Sequence, residues 1–361
     1  MTSIGIVAER KDGEERVALE PQGAGLLVDH GYEVRIERGA GGGAGFPDHA
    51  YDRLGVKPVE REDAWAADLV VKVKEPEAPE WEYLRRGQRL FCFLHLAAVP
   101  DLADALAERG VEAHAFETVE DAHGRLPLLA PMSEIAGRAA PVVASAELAR
   151  GLGSLLGGAA GVPSARAVVI GLGTAGRMAA RGLRGLDATV TGVDIDLDRL
   201  REETFSGNVE ATRAPTPESV GEAVADAEVV VGAALVPGAR APTVVRREHV
   251  AAMRPGSVIV DLAIDQGGCV ETARPTALSD PVYVEHGVRH YCVTNVPGQF
   301  PRTASCALSA AIAPAVARLA GLPRGEELSG SCNVRDGEIV HAAVAEAVAA
   351  AKAEAERSGA P

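Results

Sequence analysis

The segment Gly171-Leu172-Gly173-Thr174-Ala175-Gly176 constrains this chain more than any other. An apolar run, Ala167-Val168-Val169-Ile170, leads into it. A helix-compatible stretch, Met178 to Leu183, leads away. A second strand-like run, Ala188 to Val193, then ends on Asp194. Strand, glycine turn, helix, strand and terminal acid in that order make a dinucleotide-binding unit. Gly171 permits the tight turn, Gly173 leaves the backbone open to a pyrophosphate, and Gly176 lets the helix lie close on the strand. The first helical turn, with Thr174 and Ala175, offers unpaired N–H groups to phosphates. Asp194 stands where a carboxylate accepts both ribose hydroxyls and repels a 2′-phosphate, so the cofactor expected is NAD. The same acid could simply cap the following turn. Arg199 nearby keeps some NADP use open.

The position of this unit matters as much as its pattern. It begins near residue 166, so a long stretch precedes it and must supply something else. At 361 residues the chain has room for two domains. Apolar residues make up 47% and aromatics only 4%, so the core is built from Ala, Val, Leu and Ile. That suits parallel sheets covered by helices. The net charge of −15 argues against nucleic acid and anionic membranes as partners. The five cysteines are scattered and form no Cys-x-x-Cys pair, which argues against a disulfide framework or a zinc site. The reading is a reducing, cytoplasmic setting. The N-terminus turns charged at once, and no stretch reads as a membrane span.

Before the glycine turn, strand-like runs recur at 3–7, 33–37, 68–74, 89–95 and 111–116, with helical stretches at 23–30 and 100–109. This alternation predicts a second parallel sheet. An Ala-rich helical stretch from Met132 to about Leu156 connects the halves. The cofactor domain continues through strands near 228–234, 256–263 and 289–294, and helices are expected from Ala307 to the end. The expected fold is α/β, with two Rossmann-like domains. The NAD-binding doubly wound parallel sheet, residues 131–299, is inserted into a catalytic α/β domain of residues 1–130 plus 300–361. The loop Gly39 to Gly45 lacks the Gly-Lys-Ser/Thr ending of a phosphate-binding loop and reads as a flexible turn.

Chemistry-bearing residues stand at predicted strand ends, where α/β folds place their sites. Arg16 lies just beyond the first strand. Lys72 and Lys74 share one strand in a lysine-poor chain, either as functional cations or as solvated edge-strand lysines. His95 ends an apolar strand, either as an acid/base group or as a hydrogen-bonded structural histidine. Asp265 follows Val258 to Ile264 and precedes two glycines, either reaching into the cofactor crevice or forming an Asx turn.

Taken together, these segments resemble the alanine dehydrogenase family, related to the first domain of proton-translocating transhydrogenases. The motifs run along nearly the whole chain: Glu15 to Pro21, Val71 to Pro76, Leu94 to Ala98, Pro127 to Glu134, Leu235 to Pro242, Asp261 to Gly268, Asn295 to Gly298 and Pro301 to Thr303. The resemblance implies NAD-dependent oxidative deamination of a small L-amino acid, most simply L-alanine, to the 2-oxo acid and ammonia. It implies that Arg16 grips the substrate carboxylate, Lys74 holds the carboxylate and the oxo or imino end, His95 is the acid/base and Asp265 assists proton transfer. Ser133, Leu235 and Asn295 would line the nicotinamide end, and Leu129 and Met132 would limit the side-chain space. No metal is required, and a homo-oligomer, a hexamer by resemblance, is implied. Gln299-Phe300, Phe93 and Phe116 depart from the family's usual residues and leave room for another 2-amino acid. A secondary-amine-forming reductase, a transhydrogenase domain and a non-catalytic NAD sensor are the alternatives. The last has no use for Arg16, Lys74, His95 and Asp265 together.

Overall fold

Runs such as Leu69-Val70-Val71 and Val229-Val230-Val231 are apolar on both faces, which only a sheet covered on both sides can bury. The computed structural model describes residues 2–96, 98–235 and 241–358 and shows two such sheets. In chain order the first six strands are β1 (Ser3–Ile6), β2 (Glu33–Glu37), β3 (Lys57–Val59), β4 (Leu69–Val71), β5 (Arg89–Cys92) and β6 (Glu112–Ala115). Next come β7 (Arg166–Ile170), β8 (Thr189–Val193), β9 (Ala211–Arg213), β10 (Val229–Gly232), β11 (Val258–Asp261), β12 (Val282–Glu285) and β13 (Val288–Tyr291). The chain ends its strands with β14 (Cys332–Arg335) and β15 (Glu338–Ile339).

The chain divides into two units. Residues 1–132 and 298–361 form the first, and residues 133–297 the second. The first sheet runs β15-β14-β6-β5-β4-β1-β2-β3, parallel from β6 to β3. β14 and β15 join it antiparallel. The second runs β12-β13-β11-β10-β7-β8-β9, parallel except for the β12–β13 hairpin. Both sheets are doubly wound, with the strand order reversing between β1 and β4 and between β7 and β10.

In the second unit the two faces of the sheet carry separate cores. Val169, Val190, Val231 and Val260 point to one cluster, and Val168, Ile170, Val230 and Ile259 to the other. With so few aromatics, contact is made by bringing backbones close. A Cβ on Gly176 would overlap the Gly171 carbonyl oxygen, so the helix Thr174–Gly185 sits directly on its own turn. The helix Ala130–Gly151 lies against it through Gly137, whose Cβ would overlap the Ala175 carbonyl.

The structure corrects three expectations. The C-terminal region is not all helix, because β14 and β15 lie between the helices Pro301–Gly321 and Ala342–Ser358 and extend the first sheet. Pro301–Gly321 is, among the described residues, a helix long and apolar enough to cross a membrane, contrary to the reading that none exists. Its Leu308, Ile312, Val316 and Leu319 are wholly buried within the first unit, as in the core helix of a globular domain. Finally, Lys72 and Lys74 follow β4, which is flanked by β1 and β5, so they are not edge-strand lysines. In the glycine loop at 39–45, a Cβ on Gly43 would overlap Glu15, whereas Gly39 is open.

Gly176→Ala is expected to lower the unfolding free energy by about 3 kcal/mol, the upper range for overpacking. Urea denaturation measures it, and a loss below about 0.5 kcal/mol, as at an uncritical surface site, would show that the turn yields.

Candidate active site

In the first unit, β1, β4 and β5 are adjacent and parallel, so the segments leaving their carboxyl ends are neighbours. Those segments carry Arg16, Lys74 and His95. Each is held by carboxylates that sequence reasoning did not single out.

Arg16 is 3% exposed. Its Nε donates to Glu14 Oε1 at 2.6 Å and its Nη2 to Glu14 Oε2, a fork-on-fork pair. Its Nη1 donates to Met132 Sδ at 3.1 Å. A thioether is a weak acceptor that an incoming carboxylate outcompetes. The Leu129 carbonyl accepts from the Met132 amide at 3.1 Å, so Leu129 belongs to the turn that brings Met132 to Arg16.

Lys74 is nearly buried, and its amide donates to Glu9 Oε2 at 3.2 Å, beside the Val73 amide on Glu9 Oε1 at 2.6 Å. Lys72, 1% exposed, lies 3.4 Å from Glu9 and 3.0 Å from Glu80. Burial favours the neutral amine, but the two carboxylates outweigh it and hold Lys72 protonated above the ordinary lysine range. Lys72 is thus a buried structural cation that anchors the segment bearing Lys74.

His95 lies beyond the end of β5 rather than within it, at φ 46°, a left-handed conformation rare for a side chain larger than glycine. Glu117 holds that backbone, accepting from the His95 amide at 2.8 Å and from the Leu94 amide at 3.1 Å. The imidazole Nδ1 is 3.2 Å from Glu75 Oε2, and the ring stacks on Phe93 at 5.8 Å. Phe93 and Phe116 meet edge to face at 5.1 Å and form an apolar wall there. Burial raises the Glu75 carboxyl, but His95, Lys74 and Lys11 outweigh it and hold Glu75 well below the usual carboxylate range.

In the second unit the glycine turn has the geometry its sequence requires. Gly171 has φ 88°, and its Cβ would press on Ala233 and Ala234. Gly173 begins the helix with no side-chain cap, and a Cβ there would meet nothing within 4 Å. The start of the helix is therefore open at Gly173, as the approach of a pyrophosphate to its first-turn amides needs. Asp194, 5% exposed, accepts from the Leu172 amide at 2.6 Å and from the Asp196 amide at 2.8 Å. It is thus a turn cap as well, and its oxygens retain acceptor capacity for ribose hydroxyls. Arg199 Nη1 lies 3.7 Å from Asp194. These residues fit a dinucleotide.

Asp265 is exposed in the turn Ile264–Gln266, and β11 ends earlier, at Asp261. Both Asp265 oxygens lie 3.2–3.3 Å from the amide of Asn295, which has φ 59°. Two motifs far apart in sequence are thereby joined. Ser133 is half-buried and Leu235 is exposed. Residues 236–240 of the Leu235 to Pro242 motif lie outside the described residues, as does Ala97. Elsewhere, Glu112, His114 and Cys332 bring ligand-type atoms within 4.8 Å of one another. Arg89 and Arg335, at 3.5 and 3.7 Å from Glu112, oppose a cation there.

The family model described as the N-terminal domain of alanine dehydrogenase/PNT matches residues 5–136, and its C-terminal counterpart matches residues 139–342. The chain belongs to the alanine dehydrogenase/PNT family. The gap between the two family domains falls inside the helix Ala130–Gly151. An alanine dehydrogenase of Mycolicibacterium smegmatis is 44% identical over 355 residues, 95% of each chain. A solved L-alanine dehydrogenase has a TM-score of 0.89 at 42% identity, covering 97% of this chain and 99% of that one. A transhydrogenase from Sinorhizobium meliloti has a TM-score of 0.82 at 29% identity, covering 94% and 98%.

One titration tests the site's electrostatics. Asp261 is buried beside Asp265's turn, and burial pushes its carboxyl up to about 6, although the amides of Ala263, Val270 and Cys269 oppose the shift. The folded state therefore keeps a proton that the unfolded chain releases near 4, and this group's contribution to stability falls as pH rises from about 4 to about 6. Carboxyl 13C NMR is expected to show a midpoint near 6, and a midpoint near 4 would refute the assignment.

Proposed function

We propose that this chain is an NAD-dependent L-alanine dehydrogenase that converts L-alanine and water to pyruvate and ammonia, and runs in reverse as a reductive aminase. The observation that supports this reading is that Arg16, Lys74 and His95 lie on the segments that leave three adjacent parallel strands. Membership of the alanine dehydrogenase/PNT family supports it.

Arg16, held by Glu14, binds the substrate carboxylate, and its planar fork suits that bidentate task. Lys74 adds a second cation for the carboxylate and for the oxo or imino end. Together they fix the reactant's orientation. Leu129 and Met132 restrict the room beside the α-carbon to a small side chain. NAD, when bound, accepts a hydride from the substrate in deamination and returns it in amination. Gly171, Gly173, Thr174, Ala175 and Gly176 hold its pyrophosphate, Asp194 and Arg199 its ribose, and Ser133, Leu235 and Asn295 its nicotinamide end. His95 takes a proton from the water that adds to the imine and returns one to the departing ammonia. Asp265 assists that proton transfer. The net charge of −15 supports a soluble, cytoplasmic enzyme, and the family likeness supports a closed homo-oligomer, a hexamer.

The measurement is nicotinamide absorbance with NAD across a panel of L-amino acids, and with 2-oxo acids plus ammonia or primary amines in reverse. L-alanine and pyruvate with ammonia are expected to turn over best. Preference for another amino acid redirects the substrate, and a requirement for a primary amine identifies a secondary-amine-forming reductase. No turnover despite NAD binding refutes the dehydrogenase. His95→Ala is expected to cut kcat by about 10²–10⁴-fold, the range for removing a general acid/base, with NAD affinity retained. Equal loss of both would make His95 structural.

A further inference from the structure

We infer that Glu75 is the positioning residue that sets the tautomer of His95, and that Lys11 in turn sets Glu75. This rests on the reading of His95 as the proton-transfer group of the proposed reaction.

The geometry divides the work between two carboxylates. Glu117 grips the backbone, taking the amides of Leu94 and His95, and so holds His95 at φ 46°. A left-handed residue of this size persists only where its surroundings over-determine it. Glu75 grips the ring, with Oε2 3.2 Å from Nδ1. The other Glu75 oxygen, Oε1, accepts from Lys11 Nζ at 2.9 Å. Lys11, Lys74 and His95 together keep the Glu75 carboxyl ionised. An ionised carboxylate only accepts, so Nδ1 must carry the ring proton and Nε2 is left with a lone pair. Nε2 is then the nitrogen able to take a proton from water. Glu75 meets the imidazole itself, Lys11 and Lys74 act on Glu75 from the segments after β1 and β4, and Glu117 holds the His95 amide from the turn after β6.

The second partner of Glu75 makes the inference sharp. In Glu75→Gln one oxygen becomes an NH2 group. An NH2 facing the Lys11 ammonium would place donor against donor. The Gln oxygen therefore turns to Lys11, and its NH2 turns to His95 Nδ1. Nδ1 must then accept, the proton moves to Nε2, and the proton-accepting site is lost. Removing the ammonium frees the amide to rotate back.

The test has an arm that needs no activity. In 15N NMR of histidine-labelled protein, with His95 assigned by difference from His95→Gln, the neutral ring is expected as the Nδ1–H form in the natural protein and the Nε2–H form in Glu75→Gln. In the kinetic arm, Glu75→Gln is expected to lower kcat by about 10²–10⁴-fold at similar KM, the range for losing a general acid/base through the wrong tautomer. Loss of the carboxylate charge also moves the acid limb of the kcat/KM profile to lower pH. Lys11→Met combined with Glu75→Gln is expected to regain at least about tenfold over Glu75→Gln alone. A natural protein with the Nε2–H form overturns the inference, even if Glu75→Gln does not fold. So does Glu75→Gln within about threefold of the natural kcat, or a double variant no better than the single one. If the natural protein turns over no amino acid while the NMR result holds, the proposed reaction fails and the Glu75–His95 relation stands.

Discussion

The order of strands in the first sheet is the constraint on which everything else in that unit depends. β1 pairs with β4 and β4 with β5, all parallel, so three segments distant in sequence leave the sheet side by side. Lys11, Glu75 and His95, one from each of those segments, meet because of that order and for no local reason. Parallel pairing needs long crossovers, and the helices that cover both faces supply them. The same logic runs through the second sheet, where the glycine turn, Asp194, Asp265 and Asn295 follow the carboxyl ends of β7, β8, β11 and β13. The fold collects these polar groups beyond the carboxyl ends of the strands.

Arg16, Lys72 and His95 of the first unit each have carboxylate partners. Arg16 has Glu14, the Lys72 beside Lys74 has Glu9 and Glu80, and His95 has Glu75 and Glu117. Removing a charge from water costs several kcal/mol unless its partners restore the lost hydrogen bonds. The acids meet that cost and also fix direction. Glu14 engages the Nε side of Arg16, which turns Nη1 toward Met132. The strongly negative balance of the chain coexists with a cationic site because acids are spent inside it as well as on the surface.

Much of this was legible in the sequence. The unbroken apolar runs of β4, β7, β10 and β11 identify parallel strands, and the glycine turn with Asp194 identifies the dinucleotide unit. Arg16, Lys74, His95 and Asp265 stand out because their types are unusual at strand ends. Glu9, Glu14, Glu75 and Glu117 do not, since acids are plentiful in this chain and only tertiary contact tells these from solvated ones. β3 and β9 are three-residue edge strands with partly exposed residues, too short for a periodic pattern. β14 reads Cys-Asn-Val-Arg and becomes a strand through β6, with His114 Nδ1 2.9 Å from Ser331 Oγ. The extents of the β5 and β11 runs were overread because apolar residues continue into the turns that hold His95 and Asp265.

The return of β14 to β6 bears on the order in which the chain can be built. All residues of the second sheet are made before β14, so that sheet can close while the first is still open along β6. Until residue 332 and beyond are available, β6 presents an unpaired edge, the kind of surface that recruits other strands. A nascent chain stalled or truncated before β14 would therefore carry a finished nucleotide-binding unit attached to an unsealed one. Such a fragment would be a hazard for aggregation rather than merely an inactive enzyme.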